Sequence, residues 1–187
     1  TSFLLFEGIV PKERSLREVH EVINHKKAFD YILIYKGDIT KEFILSLHDS
    51  VVVNTLRQDL LSQVGKYRNV QVFVGRSIPP KPQDVPDKMG GLLRWYSINK
   101  KILHPLVLAS HFHTEFEKIH PFVDGNGRVG RLLMNFILHK NKLPMINIPK
   151  VKRFKYYEVL QEAQYKNNLR PFVAFLISIL RKDKLRF

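Results

Sequence analysis

The apolar positions of this chain recur mostly at three- and four-residue intervals, the period of a helix that buries one face. Ser15-Leu16-Arg17-Glu18 is a capping-box pattern. The helix it opens runs through Val19, Val22, Ile23, Ala28 and Tyr31 to about Tyr35, and Gly37 closes it. Asp38 or Thr40 starts another, through Phe43, Ile44, Leu47 and Val51. Residues 54–66 show no clear period. The rhythm then changes. Tyr67-Arg68-Asn69-Val70-Gln71-Val72-Phe73-Val74 alternates apolar and polar before Gly75, which predicts a strand running into a turn. Pro79, Pro80, Pro82 and Pro86 keep the next stretch extended. Pro86 also suits the first turn of a helix carrying Met89, Leu92, Leu93, Trp95 and Tyr96, despite Gly90-Gly91 inside it. Pro105 opens a further helix through Leu108, Phe112, Phe116 and Ile119, and another starts near Gly127 and carries Arg131, Leu132, Met134 and Phe136. Pro144 and Pro149 mark a connector, with helices at about 154–165 and 171–181. Upstream, Phe3-Leu4-Leu5-Phe6 before Glu7-Gly8 reads as the last turn of a preceding helix. The sum is an all-α bundle with one small β-hairpin: residues 1–14 a remnant or linker, 15–187 one domain.

Composition narrows the class. A chain of 187 residues with 44% hydrophobic positions suits one domain with a full core. No run approaches the roughly 20 apolar residues a membrane span needs, and no signal-peptide pattern opens the chain. Cysteine is absent, which excludes disulfides and thiolate metal sites and favours a cytoplasmic setting. The net charge of +14 favours anionic partners. The Lys and Arg are scattered, so charge alone supports no DNA-binding motif.

The chemistry concentrates in residues 120–131, His-Pro-Phe-Val-Asp-Gly-Asn-Gly-Arg-Val-Gly-Arg. Pro121 disfavours helix at His120, so the incoming helix stops there. Gly125 and Gly127 allow positive φ and close approach of backbone to a ligand. The next helix then points its first N–H groups at the loop, an anion site. Arg128 and Arg131, three apart, share a face and can grip one polyphosphate. Asp124 is a hard oxygen ligand suited to Mg²⁺ bridging phosphates. His120 is then the base at the edge of a nucleotide-phosphate site. Each residue alone also fits a solvated turn with surface ion pairs; the whole set together does not. Phe122, an aromatic in a polar loop, reads as an anchor into the core.

With that motif and the hairpin in place, the chain resembles the Fic (filamentation induced by cAMP) family, whose motif HPFx(D/E)GNGRxxR is matched at every specified position from His120 to Arg131. Gly65-Lys66-Tyr67-Arg68, residues 70–75 and Ile78-Pro79-Pro80 resemble the family's flap, about 66–79. Tyr156-Tyr157, Leu160, Ala163 and Arg170-Pro171-Phe172 resemble its following helices. The resemblance implies a protein adenylyltransferase moving AMP from ATP to a Ser, Thr or Tyr hydroxyl of a target protein, with pyrophosphate released. It implies His120 as general base and Asp124 as the Mg²⁺ ligand. Gly125, Asn126 and Gly127 become the anion hole, and Arg128 and Arg131 the clamp on the outer phosphates. Val74, Gly75, Arg76 and Ser77 would cover the nucleotide and align the target as an added strand. Tyr156, Tyr157 and Gln164 would sit near the adenosine; ordinary helix packing is the competing reading for the tyrosines. Self-modification and a homodimer are open. So are removal of AMP, transfer of another nucleotide, and a non-enzymatic basic module for nucleic acid or an acidic partner, nucleic acid only if a module precedes residue 1.

Many family members carry an inhibitory (S/T)xxxE(G/N) segment whose Glu pairs with the second motif arginine. Glu7-Gly8 is the nearest match, but Phe3 stands where Ser or Thr is needed. The inhibitory Glu is therefore expected to be absent from this chain. His111 and His113 point to different helix faces and cannot share a metal. His113 is expected to be structural, His20, His25, His48, His104 and His139 surface or packing residues, and Trp95 core.

Overall fold

A computed structural model describes residues 15–75 and 78–184. The expected helix remnant with Glu7, and the flap residues Arg76 and Ser77, lie outside the described residues. Among those described, seven α-helices succeed one another: α1 Leu16–Ile34, α2 Lys41–Val52, α3 Val85–Asn99, α4 Pro105–Ile119, α5 Asn126–Lys140, α6 Arg153–Tyr165 and α7 Arg170–Lys184. The undetermined stretch after α2 contains a 3₁₀ turn, Gln58–Gln63.

The helix starts follow their capping chemistry. The Ser15 hydroxyl accepts the Glu18 N–H while the Glu18 carboxylate accepts the Ser15 N–H. Thr40, not Asp38, caps α2 by accepting from Phe43 N–H at 3.2 Å. Prolines occupy the first turns of α3 and α4, where a missing N–H costs nothing. His104 caps α4 through Nδ1, which accepts the Leu106 N–H.

Helices α4 and α5 pack against each other most extensively; α1 and α2 cover α5, while α3, α6 and α7 cover α4. The core is Phe112 and Phe116 of α4 against Leu132, Leu133 and Phe136 of α5, with Ile44, Met89 and Phe172 from the surrounding helices. The loop between α4 and α5 is thus short, central and braced from both sides. Trp95 packs on the rim of this core rather than in it, its ring 3.9 Å from that of His111.

The predicted strand over 67–74 is the main departure. Among the described residues only Val74 makes a bridge. Side chains take the carbonyls that a ladder would have used. Arg68 donates to Val70 O and Pro80 O, and Gln71 Nε2 donates to Val72 O and Pro79 O. The alternation that suggested a strand has no core to face, since Val70, Phe73, Val74 and Ile78 are exposed. The flap is an extended segment that doubles back on itself under side-chain tethers.

Candidate active site

Helix α4 ends on His120, which adopts the left-handed conformation at φ 50°, ψ 63° and caps the helix with its N–H on Phe116 O. A non-glycine residue in this region is held there by its surroundings. The His120 carbonyl accepts from Arg68 Nε at 2.9 Å, and the Arg68 N–H donates to Pro121 O. The His120 Nδ1 lies 3.3 Å from the carbonyl oxygen of Glu117. A carbonyl only accepts, so Nδ1 carries the proton in this bond and Nε2 keeps its lone pair. A helix C-terminus favours imidazolium. Here burial outweighs it and, with the Arg68 charge, holds the His120 pKa below its ordinary value. The ring is neutral at working pH.

Phe122 is fully buried and stacks on His48, the ring centres 3.8 Å apart. Asn126 locks the loop from the other side: its Oδ1 accepts the Phe122 N–H and its Nδ2 donates to Phe122 O. Oδ1 and one of the two Nδ2 hydrogens are committed to the loop, so the amide chiefly holds the loop in shape. Gly125 begins α5 at φ 82°, and no side chain caps the helix. Its first-turn amides face the loop, as an anion site requires. A Cβ on Gly125 would lie 2.8 Å from Val52 Cγ1. Gly125→Ala is therefore expected to destabilise the domain by about 2 kcal/mol, from left-handed backbone strain plus that clash. A denaturant midpoint equal to that of the parent would show that the loop relaxes freely.

The two motif arginines face different surroundings. Arg128 Nη2 lies 3.3 Å from Asp124 Oδ1, and Nη1 lies 3.7 Å from Glu21 of α1. Asp124 Oδ2 also accepts from Arg17 Nη2 at 3.0 Å. Arg131 folds back over the helix start; a Cβ on Gly127 would lie 3.1 Å from its Nη1. It then lines a cavity of about 450 Å³ with His25, Asn147, Lys150, Arg153 and Tyr157. A second cavity, about 460 Å³, lies under the flap and is lined by Val74, Pro79, Glu117, Tyr157 and Gln164. Tyr157 borders both. Tyr156 is buried, its hydroxyl 2.8 Å from His113 Nε2. Gln164 Nε2 donates to Thr114 O. Gly75 sits at φ 59° beside Val74.

Several residues here had no sequence signal. His48 is fully buried, bonds Asp124 O through Nε2, and accepts the Gly65 N–H at Nδ1. Burial pushes its pKa down to about 4. Arg17 and Glu21 reach the loop from α1, Arg68 from the flap, and Glu117 from one turn before His120. None belongs to the motif; Arg17, Glu21 and Arg68 arrive through tertiary packing, and Glu117 lies one helical turn away on the same helix. His113 is structural, as expected: it is fully buried and stacks on Phe172. Among the described residues, no group of three or more His, Asp or Glu could hold a metal by itself. No helix there is long and apolar enough to cross a membrane.

A family model described as Fic/DOC family matches residues 38–138. The chain is 40% identical over 173 residues to the protein adenylyltransferase Fic of Drosophila melanogaster, covering 90% of this chain and 34% of that protein. It is 37% identical over 168 residues to the protein of the same name from Nematostella vectensis, covering 87% of this chain and 38% of that one. The chain thus spans about a third of the length of these curated relatives. Among solved structures it is similar to Fic-1 from C. elegans, with TM-score 0.85 and 29% identity over 99% of this chain and 55% of that chain.

Proposed function

Because the chain belongs to the Fic/DOC family, we propose that residues 15–187 form a catalytic domain that transfers AMP from ATP to a hydroxyl group of a target protein. The observation that carries this reading is the state of His120: Nδ1 is tied to Glu117 O and the ring is kept neutral by burial, so Nε2 is the proton acceptor. The acceptor hydroxyl oxygen attacks the α-phosphorus while its proton passes to His120 Nε2. The bond to the bridging oxygen of the β-phosphate breaks, and pyrophosphate leaves. The first-turn amides of α5 at Gly125, Asn126 and Gly127 receive the phosphates, with Arg128 and Arg131 on the outer ones. The cavity under the flap, with Tyr157 and Gln164 on its wall, suits the adenosine, and Tyr156 supports Tyr157 from the core. Exposed Phe73, Val74 and Ile78 offer the target an apolar edge with extended backbone beside Gly75.

Asp124 would hold Mg²⁺ through a hard carboxylate oxygen. The ion would supply charge neutralisation to the phosphates. Asp124 now pairs with Arg17, in a half-exposed contact worth about 0–1 kcal/mol. Arg17→Ala is accordingly expected to leave stability unchanged and to lower the Mg²⁺ concentration giving half-maximal transfer, by up to about fivefold. A Mg²⁺ titration of transfer reads this directly; a higher requirement in the variant would place Arg17 on the phosphates instead.

The function itself is tested with ATP labelled at the α-phosphate, Mg²⁺ and a lysate, beside His120→Ala. Label on protein with the parent alone supports the reading. Label that persists with the variant, or appears on no protein, overturns it.

A further inference from the structure

One carboxyl group near the reacting atoms is used by nothing described so far. Glu117 sits on α4 one turn before His120, and its side chain is only 9% exposed. Its Oε2 lies 4.0 Å from His120 Nδ1. Its Oε1 is buried with no hydrogen-bond partner. The fold makes room for this group: a Cβ on Gly130 would lie 2.4 Å from Glu117 Oε1 and 3.1 Å from His113 Nδ1. Isolating a carboxyl oxygen this way costs free energy, and surface sites were available to the same side chain.

We propose that Glu117 is a positioning residue for the base: its carboxylate faces the Nδ1 edge of His120 and supplies the counter-charge when Nε2 takes the proton of the attacking hydroxyl. This rests on the AMP-transfer reading above. The carbonyl of the same residue fixes the tautomer, and the carboxylate lies next to it on the same edge of the ring. Arrangements in which a buried carboxylate stands behind an imidazole stabilise the imidazolium without taking its proton.

Asp84, Lys88 and Lys118 line the flap cavity together with Glu117. His113 of α4 is neutral, since burial pushes its pKa down to about 3. Arg131 of α5 favours the carboxylate form, and the buried Tyr156 of α6 stays protonated. Arg68 and Asp124 act on His120 from the flap and the loop with opposite signs. Burial dominates at Glu117 and raises its pKa to about 7. The carboxylate is therefore present above about pH 7 and lost below it. With glutamine there, nothing titrates at that position. The acid side of the profile then follows His120 alone, which burial holds below 6.5.

The test is the pH dependence of kcat for AMP transfer in Glu117→Gln beside the parent and His120→Ala. The expected result is a plateau about tenfold lower, a KM for ATP left unchanged, and an acid-side midpoint moved from about 7 to below 6.5. A KM that rises while the midpoint stays would make Glu117 a support for Arg131 only and overturn the proposal. If the parent transfers AMP and His120→Ala does not, a Glu117→Gln profile that superposes on the parent sinks this inference and leaves the base assignment standing. Titration of the His120 ring by NMR gives a second readout that needs no activity. The ring resonances of the parent are expected to show a step near pH 7, as the facing carboxylate takes its proton, that is missing in folded Glu117→Gln; a parent ring with no step near pH 7 overturns the proposal even if no transfer is found.

Discussion

Replacing His120 by alanine is expected to lower AMP transfer by about 10²–10⁴-fold while leaving ATP affinity within about threefold. The two quantities separate because they rest on different groups. In the proposed reading, affinity comes from the amides at the start of α5, the arginines and the cavities on either side of Tyr157, rather than from the imidazole. Transfer needs the acceptor proton removed as the new bond to phosphorus forms, and only His120 offers a neutral acceptor at the end of α4. The backbone term is small: histidine tolerates the left-handed region at φ 50° only modestly better than alanine. Arg68 still holds the carbonyl of the residue, so the loop keeps its shape. Calorimetric ATP binding and label transfer, measured on the same preparations, check both halves. A loss of binding parallel to the loss of transfer would mean that His120 shapes the phosphate site rather than takes a proton.

Arg68→Ala is expected to be the most destabilising of the substitutions considered, at about 3 kcal/mol, with melting about 6–12 °C below the parent. Arg68 is 2% exposed. Its guanidinium donates to three carbonyls: His120 O at 2.9 Å, Val70 O at 3.1 Å and Pro80 O at 2.6 Å. Removing it strands acceptors on both arms of the flap and at the end of α4, each worth about 1–3 kcal/mol if left dry. Water entering the space returns part of that, which sets the figure near the lower end of the sum. Arg68→Lys should fall between the two, because an ammonium cannot span three acceptors set around a planar fork. Transfer should fall more steeply than stability at permissive temperature, since the flap and the base share this one tether. Melting within 2 °C of the parent, read by circular dichroism, would show that the flap is anchored elsewhere.

Sequence alone carried the helices well because their signals are local. Ser15, Thr40, Pro86 and Pro105 act on residues within one turn, and apolar spacing reports a buried face whatever covers it. The motif at 120–131 was legible for the same reason: turn, helix start and charged groups all lie within twelve residues of chain. Tertiary structure alone decided what surrounds that loop. The alternation at 67–74 looked like a strand, yet the carbonyls there are claimed by Arg68 and Gln71, and no local pattern says where a long side chain will reach. Arg17, Glu21 and His48 join the site because α1 and α2 pack around one loop, and Glu117, one turn before His120, is buried against Gly130 of α5. Burial lowers the His48 pKa and raises that of Glu117, and burial depends on how the helices pack rather than on spacing along the chain.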